Sequence, residues 1–366
     1  MITKLKNKFF EEIVFFISLI LAVLTGIFAE FHFEAIDMNV LGILTVLMLI
    51  TLAFEKYGLL DAVAIRVLNK ADSEKKTALL MVFLTAILGM FITNDVALIT
   101  VVPITISLSR KAHFDPFKLI VLEALAANMG SSLTPFGNPQ NLYLYSKYAY
   151  EIQDFMGVVA PFVVLGLVLL MVPICFLPKH TFDKSHMDTH LDSPKAILIY
   201  GVLFMLSVSL IVLRLNIWVA LIPTAIWVLL KDRELFKSLD LYLLGTFVCF
   251  FIFVDHINQF EWINSTIKGF LSSDSRIFLS SVVLSQGLSN VPTAILLSAF
   301  VENPDALLLG VSVGGLGTLV ASLANLIAYK IYAKSFPVKP YHRYFLKLNV
   351  ILLFICTIVF FLGIQT

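Results

Sequence analysis

The chain has 366 residues, of which 59% are hydrophobic and only 14% charged, with a formal net charge of +1. So little polar surface cannot cover that much apolar surface in water, which excludes a soluble domain and calls for lipid. The near-neutral balance, with no basic cluster interleaved with aromatics, gives no footing for nucleic-acid binding.

Taken in chain order, Lys4, Lys6 and Lys8 precede a first apolar run at 13–30. No small-residue cleavage site follows and many further runs come later, so this reads as a retained first helix, not a signal peptide. A second span covers 38–55. Between Gly58 and Lys70, Leu59, Leu60, Val63, Val67 and Leu68 share one face, as in a helix lying at the membrane surface. Residues 76–110 form two apolar limbs of about 11 to 17 residues, short of the roughly 20 needed to span. They meet at Thr93-Asn94-Asp95, and a re-entrant hairpin is expected there.

The run at 116–150 is long enough to cross, but Gly130-Ser131-Ser132-Leu133-Thr134-Pro135-Phe136-Gly137-Asn138-Pro139-Gln140-Asn141 interrupts it. Two prolines four residues apart cannot stay in a continuous helix, and Asn138 as N-cap with Pro139 at the first position restarts it. Spans follow at 155–177, 195–213, 216–231 and 238–257. A second hairpin is expected at 275–301, where Gln286-Gly287-Leu288-Ser289-Asn290-Val291-Pro292-Thr293 mirrors the first tip. A second broken helix at 305–333 contains Gly314-Gly315-Leu316-Gly317-Thr318, and a last span covers 346–364. The fold class is therefore an all-α polytopic membrane protein with nine crossings and two hairpins.

Three off-site features have plain readings. Cys175, Cys249 and Cys356 each lie in an apolar run and read as membrane-core residues. His186 and His190, in a linker that also holds His180, have a helix-compatible metal spacing but no third ligand in register, so a solvated loop is expected. Asp255 and His256 fall near the end of their span and are read as interfacial.

With the N-terminus placed in the cytoplasm, all but four of the 26 Lys and Arg fall on the cytoplasmic side, the exceptions being Lys147, Arg214, Lys268 and Arg276. This is the bias the positive-inside rule demands, and it puts the C-terminus outside. Two crossings precede the first hairpin and three separate residue 195 from the second, so the hairpins enter from opposite sides. A repeat at a constant 184 residues agrees: Gly130, Thr134, Asn141, Leu142 and Tyr145 recur as Gly314, Thr318, Asn325, Leu326 and Tyr329. The chain divides into a first inverted repeat at 1–178, a cytoplasmic linker at 179–194 and a second repeat at 195–366.

Non-helical backbone at membrane depth is tolerated only where it lines a cavity, so these four interruptions mark the candidate site. Asp95 serves equally as N-cap of the second limb or as an ionisable group at the midplane. Glu123, also buried in a span, either faces a polar helix neighbour or relays protons. The glycines of the second break either pack helices closely or shape a site.

At these residues the chain resembles the ion transporter superfamily that includes arsenite permeases, divalent-anion sodium symporters, citrate transporters and one type of sodium/proton antiporter. The likeness runs nearly the whole length. The Thr-Pro-Phe-Gly-Asn-Pro-Gln-Asn string at 134–141 is similar to the arsenite-permease-like branch. The resemblance implies two inverted halves, each with a tip and a broken helix. One sodium or proton site then sits at Thr93, Asn94, Gly137 and Asn138, with Thr134 and Pro135 in the same loop. A partner site sits at Ser289, Asn290, Gly317 and Thr318, beside Thr293. Sodium is expected at Thr93, Asn94, Gly137, Ser289 and Asn290, and protons at Asp95 or Glu123.

The symporters' third tip residue, a Thr that holds a substrate carboxylate, is Asp95 in one tip and Val291 in the other. An ionised Asp95 repels a dicarboxylate and admits a neutral weak acid or a cation. The expected function is a secondary active transporter of a small anion or weak oxyacid in the cell membrane, driven by sodium ions or protons, working by alternating access, with a homodimer expected from the resemblance. The alternative is a sodium/proton antiporter on the same fold. A membrane-embedded hydrolase is the distant alternative, because Gly287-Leu288-Ser289 resembles the Gly-x-Ser of intramembrane serine proteases; it lacks a base near Ser289, and the chain is read as not an enzyme.

Overall fold

A computed structural model describes residues 12–178, 181, 188, 189 and 191–365. Lys4, Lys6, Lys8, His180, His186 and His190 lie outside the described residues. Every named element is helical, and among the described residues six helices are long and apolar enough to cross a membrane.

The first half contains α1 (Ile13–Thr25), α2 (Met38–Lys56), α3 (Leu59–Leu68), α4 (Glu74–Ile92), α5 (Asn94–Ala112), α6 (Phe117–Ser131), α7 (Pro139–Lys147) and α8 (Ile152–Cys175). The second contains α9 (Pro194–Val212), α10 (Trp218–Lys231), α11 (Leu241–Asn258), α12 (Glu261–Phe270), α13 (Asp274–Leu288), α14 (Asn290–Leu297), α15 (Asp305–Gly314), α16 (Leu323–Ala333) and α17 (Val338–Gln365). The two halves form an inverted repeat: α4 and α5 are the first hairpin, α6 and α7 the first broken helix, and α13 to α16 repeat that order.

The helix starts follow the local chemistry. Asp37 caps α2 by accepting from the backbone N–H groups of Asn39 and Val40, both at 3.0 Å. Asn138 caps α7 by accepting from Asn141 N at 3.0 Å, with Pro139 at the first position, as its sequence requires.

The structure adds to these expectations and departs from some of them. The limbs of the first hairpin are 19 residues each, about 28 Å, longer than the lengths expected from the apolar core alone. They include Glu74, Lys75, Lys76, Arg110 and Lys111, polar residues that continue the helix beyond the apolar run. Helix α12 was unforeseen; it has no buried residue, and its apolar positions are too sparse to read as a span. Cys175 is exposed at the end of α8, whereas Cys249 and Cys356 are buried. His256, in the last turn of α11, is buried against α1, and its Nδ1 lies 2.9 Å from the Thr25 hydroxyl. Asp255 is the partner that faces outward, 3.0 Å from His32.

Two packing systems result. In one, α2 lies against α9 and α10, and α1 against α11. In the other, α4 packs on α6 and α13 on α15, and both joints use glycine. A Cβ on Gly130 would sit 2.2 Å from Ala86 O, and one on Gly314 would sit 2.6 Å from Ser285 Oγ. The close-packing reading of Gly314 is therefore correct.

Asp232, 1% exposed, locks the first system at one end. It accepts from Lys56 Nζ at 2.5 Å, Tyr57 OH at 2.7 Å and Tyr200 OH at 2.6 Å, and Lys56 also pairs with Glu234. Tyr200→Phe removes one charge-assisted donor while keeping the ring, and is expected to cost about 1.5 to 3 kcal/mol. A thermal melt in detergent unchanged from wild type would show that the cluster does not hold these helices.

Candidate functional site

The two hairpins turn at single residues of the same rare conformation. Thr93 has φ 90° and ψ 145°, and Ser289 has φ 78° and ψ 153°. For a residue with a Cβ this region costs roughly 1–3 kcal/mol, and such strain persists only where surrounding contacts hold it. Those contacts match across the repeat. Asn94 N donates to Gly137 O at 3.1 Å, and Asn290 N donates to Ala321 O at 3.0 Å. The Thr134 hydroxyl donates to Met90 O at 2.5 Å, and the Thr318 hydroxyl to Gln286 O at 2.8 Å. Each tip is thus stitched to the loop of its own broken helix.

The loops are held in turn by the repeated asparagines. Asn141 Nδ2 donates to Ser132 O at 3.0 Å and Thr134 O at 3.2 Å, while Asn325 Nδ2 donates to Gly315 O and Thr318 O, both at 3.1 Å. Free carbonyls of an interrupted helix are costly in lipid, and these amides satisfy several of them. The second loop has an extra brace in Gln286. Its Nε2 donates to Gly314 O at 3.0 Å and Leu316 O at 3.1 Å, and its Oε1 accepts from Thr318 N at 3.0 Å. Gly317, at φ 104°, must be glycine, since a Cβ would lie 2.1 Å from Gln286 Oε1.

Between the tips lies a cavity of about 90 Å³ lined by Asn94, Asp95, Ser289 and Asn290 together with Gln140, Ser322 and the starts of α1 and α11. A second cavity, of about 150 Å³, lies between the first tip and α2, lined by Thr93, Asp95, Asn138 and Thr51 among apolar residues. Asp95 and Asp240 line both. Among the described residues, lysine and arginine line neither, and the remaining walls are largely aliphatic. Asp240 is exposed and caps α11, accepting from Leu243 N at 2.8 Å, so the end of the cavities that it lines is the wet one. On the other side of the tips, Tyr143 OH and Lys147 Nζ on α7 reach Ser298 Oγ at 2.8 and 3.0 Å, and Tyr148 OH donates to Val301 O at 2.7 Å.

The expected residues divide accordingly. Thr93, Asn94, Asp95, Asn138, Ser289 and Asn290 reach the cavities; Thr134, Pro135, Gly137, Thr293, Gly317 and Thr318 are not among the lining residues. Of the latter, Thr293 spends its hydroxyl on Ser289 O at 2.8 Å. Asp95 does not cap α5. Thr93 is the N-cap residue and makes no side-chain cap bond, Asn94 Oδ1 accepts from Asp95 N at 3.0 Å, and Asp95 Oδ1 is buried without a hydrogen-bond partner among the described residues. Glu123, 0% exposed, is not among the lining residues of either cavity; its Oε1 accepts from the Thr105 hydroxyl at 2.5 Å, while its Oε2 is buried with no hydrogen-bond partner among the described residues. Sequence reasoning left out Asn128 and Asp240, and placed Gln286 in the second tip without assigning it a role. Asn141 and Asn325 were visible as repeat markers but not as loop braces.

A family profile described as citrate transporter matches residues 7–310. The inner membrane protein YbiR of Escherichia coli (strain K12) is 35% identical over 301 residues, covering 81% of this chain and 80% of that protein. An uncharacterized transporter of Methanocaldococcus jannaschii is 31% identical over 304 residues, covering 82% of each. Among solved structures, the Alcanivorax borkumensis YdaH transporter superposes with a TM-score of 0.59 over 97% of this chain and 98% of that one, at 15% identity, which is a likeness of fold.

Proposed function

The chain belongs to the citrate transporter family, and on that premise we propose that this multi-pass membrane protein is a secondary active transporter of a small anion or weak oxyacid, driven by sodium ions or protons. One observation carries the reading: two strained tips of opposite origin converge on a single cavity where Asp95 presents an unpartnered carboxylate oxygen. Strain held by surrounding contacts is what a preorganised ion clamp requires.

The charge of the site narrows the solute. With Asp95 and Asp240 in the walls and no basic side chain among the described lining residues, a dianion or trianion meets uncompensated repulsion in a low-dielectric space. A weak acid in its least charged form, or an anion accompanied by cations, does not. Coupling ions bind at the tips, Asp95 balances them, and the hairpin-bearing elements move past the scaffold of α2, α9 and α10. The plasma membrane, a cytoplasmic N-terminus, an external C-terminus and a homodimer belong to the same reading. With that orientation, Asp240 faces the cytoplasm and the Tyr143, Lys147 and Tyr148 bonds close the outer side.

A sodium/proton antiporter is the second reading, favoured by the Asp95 oxygen, which is unpartnered among the described residues, and by the lack of a basic group among the described lining residues. Reconstitution into liposomes with separate sodium and pH gradients distinguishes the two. Gradient-dependent uptake of arsenite, a phosphate-like oxyanion, succinate or citrate is the expected result. Sodium-driven proton movement with no flux of any of these solutes overturns it in favour of the antiporter.

A further inference from the structure

The repeat makes most contacts of the site come in pairs, and the largest departure is at Asn128. This residue lies on α6, 4% exposed, and its one carboxamide reaches three partners. Oδ1 accepts from Ser322 Oγ at 2.8 Å and from Asn94 Nδ2 at 3.3 Å, while Nδ2 donates to Asn325 Oδ1 at 2.8 Å. Asn94 belongs to the first tip; Ser322 and Asn325 belong to the second broken helix, 194 and 197 residues away from Asn128.

A continuous polar chain follows from these bonds. Gly137 of the first break receives Asn94 N, Asn94 meets Asn128, Asn128 meets Asn325, and Asn325 holds Gly315 O and Thr318 O of the second break. The repeat supplies no reciprocal connection. The residue 184 positions after Asn128 is Ser312, whose hydroxyl donates to Leu308 O at 2.8 Å within its own helix. Correspondingly, Asn141 Oδ1, the mate of the Asn325 oxygen that Asn128 serves, is buried with no hydrogen-bond partner among the described residues. Among the described residues, the first tip is therefore tied to the second break through Asn128, with no mirror-image bond in the other direction, while the Tyr143, Lys147 and Tyr148 bonds join the halves away from the tips.

We infer that Asn128 is a positioning residue that couples the two half-sites, so that an ion bound at the first tip orders the second loop for its own ion. Buried amide networks of this kind are cooperative, because each bond fixes and polarises the next. Moving Asn94 to engage a cation shifts an acceptor shared with Ser322, and the shift reaches the Gly315 to Thr318 carbonyls through Asn325. The coupling is reciprocal, since each ion favours the other through the same residue.

This inference rests on the reading of the tips as ion sites. Its test is solute flux in proteoliposomes, titrated with sodium chloride at fixed pH and with protons at fixed sodium, in wild type, Asn128→Ser and Ser322→Ala. Asn128→Ser installs the residue found in the other repeat; Ser322→Ala removes one bond and leaves the amide in place. The wild type is expected to show a Hill slope above one for the coupling ion, corresponding to a coupling factor of about 5- to 150-fold. Asn128→Ser is expected to bring the slope to about one with flux still measurable at saturating ion, and Ser322→Ala to give an intermediate slope. If Asn128→Ser does not fold, the slope of Ser322→Ala decides. Variants that lower the maximal rate but keep the wild-type slope overturn the inference, as does a wild-type slope of one. Absence of any ion-dependent solute flux in the wild type rejects the transport reading itself, and this inference with it.

Discussion

Asp95→Asn is expected to abolish gradient-driven transport while leaving the protein folded. The substitution is isosteric, and Asp95 Oδ1 has no hydrogen-bond partner to lose, so little packing changes. What disappears is the charge. A cation about 4 Å from a carboxylate gains about 4 kcal/mol at an effective dielectric near 20, so ion affinity should fall by roughly a hundredfold or more. Downhill solute exchange, which needs no net ion movement, separates the readings. An anion or weak-acid carrier retains exchange in Asp95→Asn, whereas an antiporter loses all activity because the same carboxylate carries both of its ions. Wild-type gradient-driven flux in this variant would remove Asp95 from the mechanism.

The second large effect is expected at Gly130. Alanine there places its Cβ 2.2 Å from a backbone carbonyl oxygen on α4, an obstacle that no rotamer change relieves. Helices α4 and α6 must separate, at a cost of about 1–3 kcal/mol or more, and the separation draws the first tip away from Gly137. The thermal melt should fall and transport should be lost together. Gly157→Ala is the control: nothing lies within 4 Å of a Cβ built there, and it should stabilise by about 0.5–1 kcal/mol as a helix-interior replacement. A Gly130→Ala protein with an unaltered melt would mean that the joint is loose.

Much of the site was legible because its signals are local or repeated. Asn138-Pro139 announces a cap and a first helical residue within two positions, and the structure has both. The 184-residue register identified Thr134 with Thr318 and Asn141 with Asn325 before any contact was known, and the matching bonds exist. Of the residues expected as ligands, Thr134 and Thr318 bind the loops to the tips, and neither they nor Gly137 and Gly317 line a cavity. The roles of Asn128 and Gln286 escaped because their importance lies in partners that are far away in sequence. A polar residue in an apolar helix reports only that it needs a partner somewhere. The burial of His256 was invisible for the same reason, its partner Thr25 lying 231 residues away.

Composition, hydrophobic run length and the placement of Gly, Pro and Asn by themselves determined an all-helical membrane protein of two inverted halves with two hairpins and two broken helices. Those are properties of short segments answering to lipid, where each segment must satisfy its own backbone or reveal where it does not. Tertiary structure alone decided that Thr93 and Ser289 turn in the same strained conformation, that Asp95 faces two cavities without capping a helix, and that the Asn128 amide joins the first tip to the second break. Such outcomes depend on which distant groups are brought within about 3 Å, the range at which a hydrogen bond forms, and no local pattern encodes that distance.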